Sequence, residues 1–354
     1  MSEHNITVEG GTSVLLPTAG KYCDRNIIIT AMGGGSSDSD VEKYFEAQHA
    51  EVVLPNAESI KSYAFYKDEV ITQITMPKVK SIGDYTFSDC TNLALTFLPS
   101  GLTSTGYRAF YNCTNLALIS LPNGLTNIGN QTFYNCTNLA ITSLPSGLTS
   151  ISDYAFCKCT NLALTFLPSG ITSIGEYAFA ECSKLALTSL PSGITSIGRQ
   201  AFNDCTKLAL TSLPSGITSI GATAFYDCTN LALTSLPSGL TSIDTNTFNG
   251  CSKLALTSLP SGITSIGQNA FYNCTNLALT SLPSGITSIS NNAFGSCKNL
   301  SSLTFKGTPT SISSNAFANC TNLLTINVPW AEGAVANAPW GATKATINYN
   351  YTGE

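Results

Sequence analysis

Charge is what this sequence has least of: only 10% of its 354 residues are Asp, Glu, Lys or Arg, where an ordinary soluble domain carries about 25%. The 16 basic residues are scattered among 21 acidic ones. No basic stripe exists to neutralise a phosphate backbone, so nucleic acid is not an expected partner. Histidine is almost missing, since His4 and His49 are the only two. Neither G-x-S-x-G nor G-x-x-x-x-G-K occurs, and a carboxylate pair such as Glu176 with Asp204 reads as a solvated edge. The chain is therefore read as a non-enzyme with no catalytic residue, no cofactor and no metal ligand. No apolar run reaches the roughly 18 residues of a membrane span, so membrane insertion is not expected. Residues 1–7 lack the basic leader and apolar core of a secretory signal, which points to synthesis in a cytosol.

What the sequence has instead is repetition. Cysteine returns every 23 residues, at Cys90, Cys113, Cys136, Cys159, Cys182, Cys205, Cys228, Cys251, Cys274, Cys297 and Cys320. Phenylalanine stands three residues before each, from Phe87 to Phe317, and Phe65 marks an earlier copy. The unit reads C-T-N-L-A-L-T-S-L-P-S-G-I-T-S-I-G-x-x-A-F-x-x. One copy offers Cys182, Leu185, Leu187, Leu190, Ile194, Ile197, Ala201 and Phe202 as apolar positions. That is too little to enclose a core alone, whereas stacked copies align like residues into continuous ladders.

Within a copy, Leu185 and Leu187 alternate as a strand would, and Pro191-Ser192-Gly193 ends it. A second extended stretch is expected over 194–197, and a short turn or one-turn helix at Ala201-Phe202. Copies near the ends space their apolar residues as Ile71-x-x-Ile74-x-Met76, Leu300-x-x-Leu303-x-Phe305 and Leu323-x-x-Ile326-x-Val328, where central ones read L-x-L-x-x-L. The two spacings cannot place the same residues inward without a local change in the strand. Thr105, where other copies have Ile, is an expected weak point.

The expected fold class is a β-rich α/β solenoid of short parallel strands with a small N-terminal β module. Residues 1–32 form that module, 33–40 a Gly/Ser linker, 41–328 the solenoid with a capping helix over 41–50, and 329–354 a cap containing Trp330 and Trp340.

Over about residues 51–328 the unit closely resembles the BspA-type leucine-rich repeat. The resemblance implies a right-handed solenoid used for adhesion or protein interaction, and says little about function beyond that. Residues 8–13 (Val8-Glu9-Gly10-Gly11-Thr12-Ser13) and 16–27, with the closing 328–333 and 339–343, resemble segments of virion structural proteins from phages of gut bacteria. That second resemblance implies a phage fibre or surface protein localised to the virion. It would dock on other virion proteins through residues 1–40, form a homo-oligomer in one version, and present the solenoid to a host-surface protein or glycan. The alternative is a bacterial BspA-like surface adhesin or interaction module.

Two features invite chemistry. Cysteines on neighbouring coils would sit about 4.8 Å apart, within disulfide range, but their Cβ vectors run side by side, so buried free thiols are expected. Cys157-Lys158-Cys159 is a lone C-x-C with no second pair, too little for zinc. The other feature is variation: the two positions before Ala-Phe and the two after Phe change from copy to copy. Ten of the 14 tyrosines lie there, including Tyr85, Tyr107, Tyr111, Tyr134, Tyr154, Tyr177, Tyr226 and Tyr272. These are the candidate ligand-contact edge, since tyrosine supplies rigid amphipathic contact area. The competing reading is drift at solvent-facing positions after duplication.

Overall fold

In the computed structural model of the protein, residues 51–352 are described; the expected module at 1–32, the linker at 33–40 and the helix at 41–50 lie outside them. The chain divides into two compact units, the first ending at Ala163 and the second starting at Leu164. Both are stacks of parallel coils.

The most regular element is a two-residue strand, one per coil. In the first unit Ser59–Ile60, Ser81–Ile82, Ser104–Thr105 and Asn127–Ile128 pair in parallel and in register. In the second unit Ser173–Ile174, Ser196–Ile197 and Ser219–Ile220 do the same, as do Ser242–Ile243, Ser265–Ile266, Ser288–Ile289 and Ser311–Ile312. Each strand sends its second residue into the core and its first toward solvent, the alternation a pleat imposes. The strand is short because the coil turns sharply after it. A Cβ on Gly198 would lie 2.5 Å from the Gly175 carbonyl carbon, so glycine admits the close approach of successive coils. Where the same position is Ser152, its hydroxyl donates to the Ile128 carbonyl at 2.6 Å.

Between the strands runs the core. Phe65, Phe87, Phe110, Phe133 and Phe156 stack face to face in the first unit, with centroids 5.1–5.6 Å apart. Phe179, Phe202, Phe225, Phe248, Phe271, Phe294 and Phe317 repeat this in the second, at 5.2–5.6 Å. Burying each ring contributes about 1.5–3 kcal/mol. Beside each Phe the small position is Ala, or a fully buried Thr at Thr86, Thr132 and Thr247. These hydroxyls donate to local carbonyls: Thr132 to Gly129 at 2.8 Å and Gly106 at 3.0 Å, and Thr247 to Asp244 at 2.9 Å.

Of the two readings of the Ala-Phe segment, a short turn or a one-turn helix, the structure takes the turn, and no helix occurs among the described residues. The expected strand at Leu185 and Leu187 needs correction, because none forms there. Central coils hold their Leu-Ala-Leu segment by one inter-coil bond, for instance Ala209 N–H to the Leu187 carbonyl at 3.1 Å. On this side Glu51–Val53 pairs with Gln73–Thr75, Ser281–Leu282 with Thr304 and Phe305, and Ser302–Phe305 with Thr325–Asn327. Spacing alone does not set the split, because Leu277, Leu279 and Leu282 keep the central spacing and Ser281–Leu282 is still paired. Leu185 and Leu187 are fully buried and Leu190 lies at the rim, whereas Leu300, Leu303 and Phe305 are all enclosed. Two exposed residues in a row after Leu187 interrupt the pleat of the central copies.

Trp330 and Trp340 are buried against Phe305, at 5.2 and 6.0 Å. Trp340 donates its indole N–H to Ala336 at 2.7 Å. Thr346–Asn348 adds a parallel strand beyond Thr325–Asn327.

Candidate functional site

The copy-to-copy variation falls on the pair of tight turns around each Phe. Alternate N–H groups there point to the next coil: Tyr85 to Tyr107 O, Phe87 to Ala109 O and Asp89 to Tyr111 O, at 2.7–2.8 Å. The intervening ones close turns within the coil, Ser88 to Tyr85 O and Cys90 to Phe87 O. The path requires a left-handed residue just before the small position and another just before Cys, as at Tyr85 (φ 54°) and Asp89 (φ 63°). The second site is filled mainly by Asn, Asp or Gly (Asn112, Asn135, Asp204, Asp227, Gly250, Asn273 and Asn319), residues that tolerate this region through a short polar side chain or no side chain at all. The first site is different. Toward the C-terminus it holds Asn246, Asn269 and Asn292, but in the first unit it holds Tyr63, Tyr85, Arg108, Gln131 and Tyr154, large groups that gain nothing from such a backbone.

These large side chains meet. In the first unit Tyr63 stacks on Tyr85 at 4.8 Å, and Tyr66 packs edge-on to both, at 5.6 and 6.1 Å. Tyr85 meets Tyr107 edge-on at 5.2 Å. Tyr111 stacks on Tyr134 at 4.7 Å, and Tyr134 tilts against Tyr154 at 6.5 Å. Arg108 joins the two groups: its guanidinium lies 5.6 Å from the Tyr85 ring, 5.0 Å from Tyr107 and 4.8 Å from Tyr111. Its Nε–H donates to the Gln131 amide oxygen at 2.6 Å. Lys67 sits over Tyr66 at 5.0 Å and Lys158 over Tyr134 at 5.8 Å. Tyr63 is exposed and the other rings are half-buried. Burial lifts the phenols of Tyr107 and Tyr111 above their ordinary value, partly offset by Arg108, so both remain neutral hydroxyls at any physiological pH.

Of the eight candidate tyrosines, Tyr85, Tyr107, Tyr111, Tyr134 and Tyr154 belong to the first-unit stripe. In the second unit Tyr177 carries Arg199 at 6.0 Å. Tyr226 is raised first by Asp227 and then by burial, and the Tyr272 ring lies against Gly295. Neither Tyr226 nor Tyr272 has an aromatic neighbour among the described residues. Arg108 and Gln131 were missed by the sequence reading, although both occupy the varying column. Their signal was a cation one repeat after Tyr85 and a long polar residue one repeat after the cation.

The other candidates resolve simply. All twelve cysteines among the described residues are buried free thiols. Each ladder thiol from Cys205 to Cys320 donates to the Phe carbonyl of the preceding coil at 3.0 Å. No cluster of three or more His, Cys, Asp or Glu that could hold a metal occurs among the described residues. Asp204 faces Asp227, whose acidity is weakened by burial and then by Asp204. A rival surface lies on the Leu-Ala-Leu side, where Phe97 (60% exposed) and Ile119 (51%) stand at hydroxyl positions of the first unit. Among the described residues no helix is long and apolar enough to cross a membrane.

Coils of this length, a Leu/Ile/Phe/Cys core repeated without a helix and a variable turn column define a leucine-rich-repeat solenoid. The chain belongs to the BspA-type leucine-rich repeat family, whose model matches residues 58–186, 172–280 and 243–333. A leucine-rich repeat protein from Bacteroides ovatus is similar at 26% identity with a TM-score of 0.63, covering 86% of this chain and 84% of that one. A leucine-rich cell surface protein from Faecalibacterium prausnitzii is similar at 25% identity with a TM-score of 0.51, covering 88% and 89%. No curated protein matches the chain.

Proposed function

We propose that this protein is a non-enzymatic bacterial surface protein that adheres to a partner through the Tyr63–Tyr154 stripe of its first unit. The observation that carries the reading is the backbone position of the stripe. Tyr63, Tyr85, Arg108 and Tyr154 hold positive φ values of 53–63°, in a column that holds Asn at Asn246, Asn269 and Asn292. A bulky residue there costs on the order of 1 kcal/mol, and side chains placed against that preference supply an organised contact face. BspA-type repeat proteins are typically surface proteins, and one similar structure is of a cell surface protein. A virion role, expected from residues 8–13, 16–27, 328–333 and 339–343, draws no support from the family match or from either bacterial structure.

The test is a screen of the full chain against arrayed host-surface and extracellular-matrix proteins and glycans, run in parallel with a Tyr111→Ala/Tyr134→Ala variant. The expected result is one class of target bound by the wild type and at least about tenfold more weakly by the variant, as for aromatic anchors at an interface. Equal binding by the two would exclude this stripe.

A further inference from the structure

Arg108 has an arrangement that the packing of the stripe does not explain. Its Nε is engaged by Gln131 at 2.6 Å and its plane by three tyrosine rings within 5.6 Å. Among the described residues no carboxylate pairs with it, and no acceptor takes the N–H groups of its terminal nitrogens. In neighbouring turns Asp84 Oδ1 accepts from the Tyr107 N–H at 2.7 Å, and Asp89 Oδ1 from Asn112 Nδ2 at 2.9 Å. A guanidinium held through Nε, set against tyrosine rings and without a partner at its terminal nitrogens among the described residues is pre-organised for a planar, two-oxygen anion.

The surrounding rings narrow the choice. Tyr63 and Tyr85 cover each other's faces, as do Tyr111 and Tyr134, while Arg108 lies over Tyr107. Each of these contacts takes one face of a ring. Phenol hydroxyls beside a guanidinium favour an oxygen anion at that point over a neutral pyranose ring.

We propose that Arg108 receives the carboxylate of an Asp or Glu side chain on a protein partner, in a bidentate pair flanked by the Tyr107 and Tyr111 phenols. This rests on the stripe being the contact face. Arg108→Lys keeps the charge and removes the fork, and lysine adopts the same backbone at Lys67 (φ 58°), so the variant is expected to fold unchanged, with its melting temperature as the control. The probe is a displayed library of random peptides selected on the full wild-type chain. Enriched peptides are expected to share an acidic position, to lose binding when it becomes Asn or Gln, and to bind Arg108→Lys at least about tenfold more weakly. Enrichment of peptides without an acidic residue, equal binding to Arg108→Lys, or no enrichment above an Arg108→Ala control would overturn the proposal. So would a preference for sulfated or sialylated glycans over every selected peptide. Binding that depends on Tyr111 and Tyr134 but not on Arg108 would remove the carboxylate and leave the contact face standing; independence of all three would remove both.

Discussion

Thr223 holds φ at 62° with a branched β-carbon, the least comfortable occupant of its column. Thr223→Asn, the residue found at the equivalent Asn246 and Asn269, should stabilise the protein by about 1 kcal/mol, read as a higher urea midpoint with an unchanged slope. The thiol ladder carries a second residue-scale consequence. Burial raises Cys113, Cys136, Cys159, Cys228, Cys251, Cys274 and Cys297 well above the ordinary thiol value, and Cys320 to about 11. An unfolded chain releases these protons from about pH 8.5 upward, while the folded chain retains them. Rising pH therefore favours the unfolded state. Stability should be flat in this respect below about pH 8 and fall progressively above it, and Cys297→Ala should reduce the alkaline slope by up to about 1.4 kcal/mol per pH unit. Urea titrations at several alkaline pH values, under reducing conditions, check both. The thiols' inertness was legible from the repeat, because a cysteine recurring with Phe in every coil has to be inside. The left-handed column was not legible, because Tyr and Arg carry no local signal for positive φ.

At the scale of elements, Thr105 shows how a coil absorbs an intruder in its Ile ladder. Its hydroxyl lies 3.3 Å from that of Thr132, which already donates to two carbonyls. Thr105→Val leaves no group unsatisfied and restores an apolar contact between Ile82 and Ile128, so a gain of about 1 kcal/mol in thermal or urea stability is expected. The contrast between central and terminal copies was readable in the sequence as two spacings, but not its outcome, since apolar pattern alone does not say which copy keeps a paired strand. Hydrogen exchange distinguishes them. Amides of Thr211 and Ser212, exposed and outside any strand, should exchange far faster than those of Ser302–Phe305. Equal protection would mean that the central copies form strands in solution.

For the whole molecule, the solenoid class and its family followed from the 23-residue repeat, and the varying column identified where to look for a site. What could not be read was that Tyr63, Tyr66, Tyr85, Tyr107, Tyr111, Tyr134 and Tyr154 gather into a connected stripe in the first unit, with Arg108 at its centre. That depends on which large residues fall in adjacent coils and on the backbone that turns them toward one another. The same unit also exposes Phe97 and Ile119 on its Leu-Ala-Leu side, a second surface of the kind that marks contact sites. Hydroxyl-radical footprinting of the full chain with and without a bound target from the array separates the two, because tyrosine and phenylalanine are both oxidised in proportion to their exposure. Protection of Tyr63, Tyr85, Tyr107 and Tyr134 with Phe97 and Ile119 unchanged is the expected result. Protection of Phe97 and Ile119 with the tyrosines unchanged would contradict the assignment and move the contact face to the Leu-Ala-Leu side of the coils.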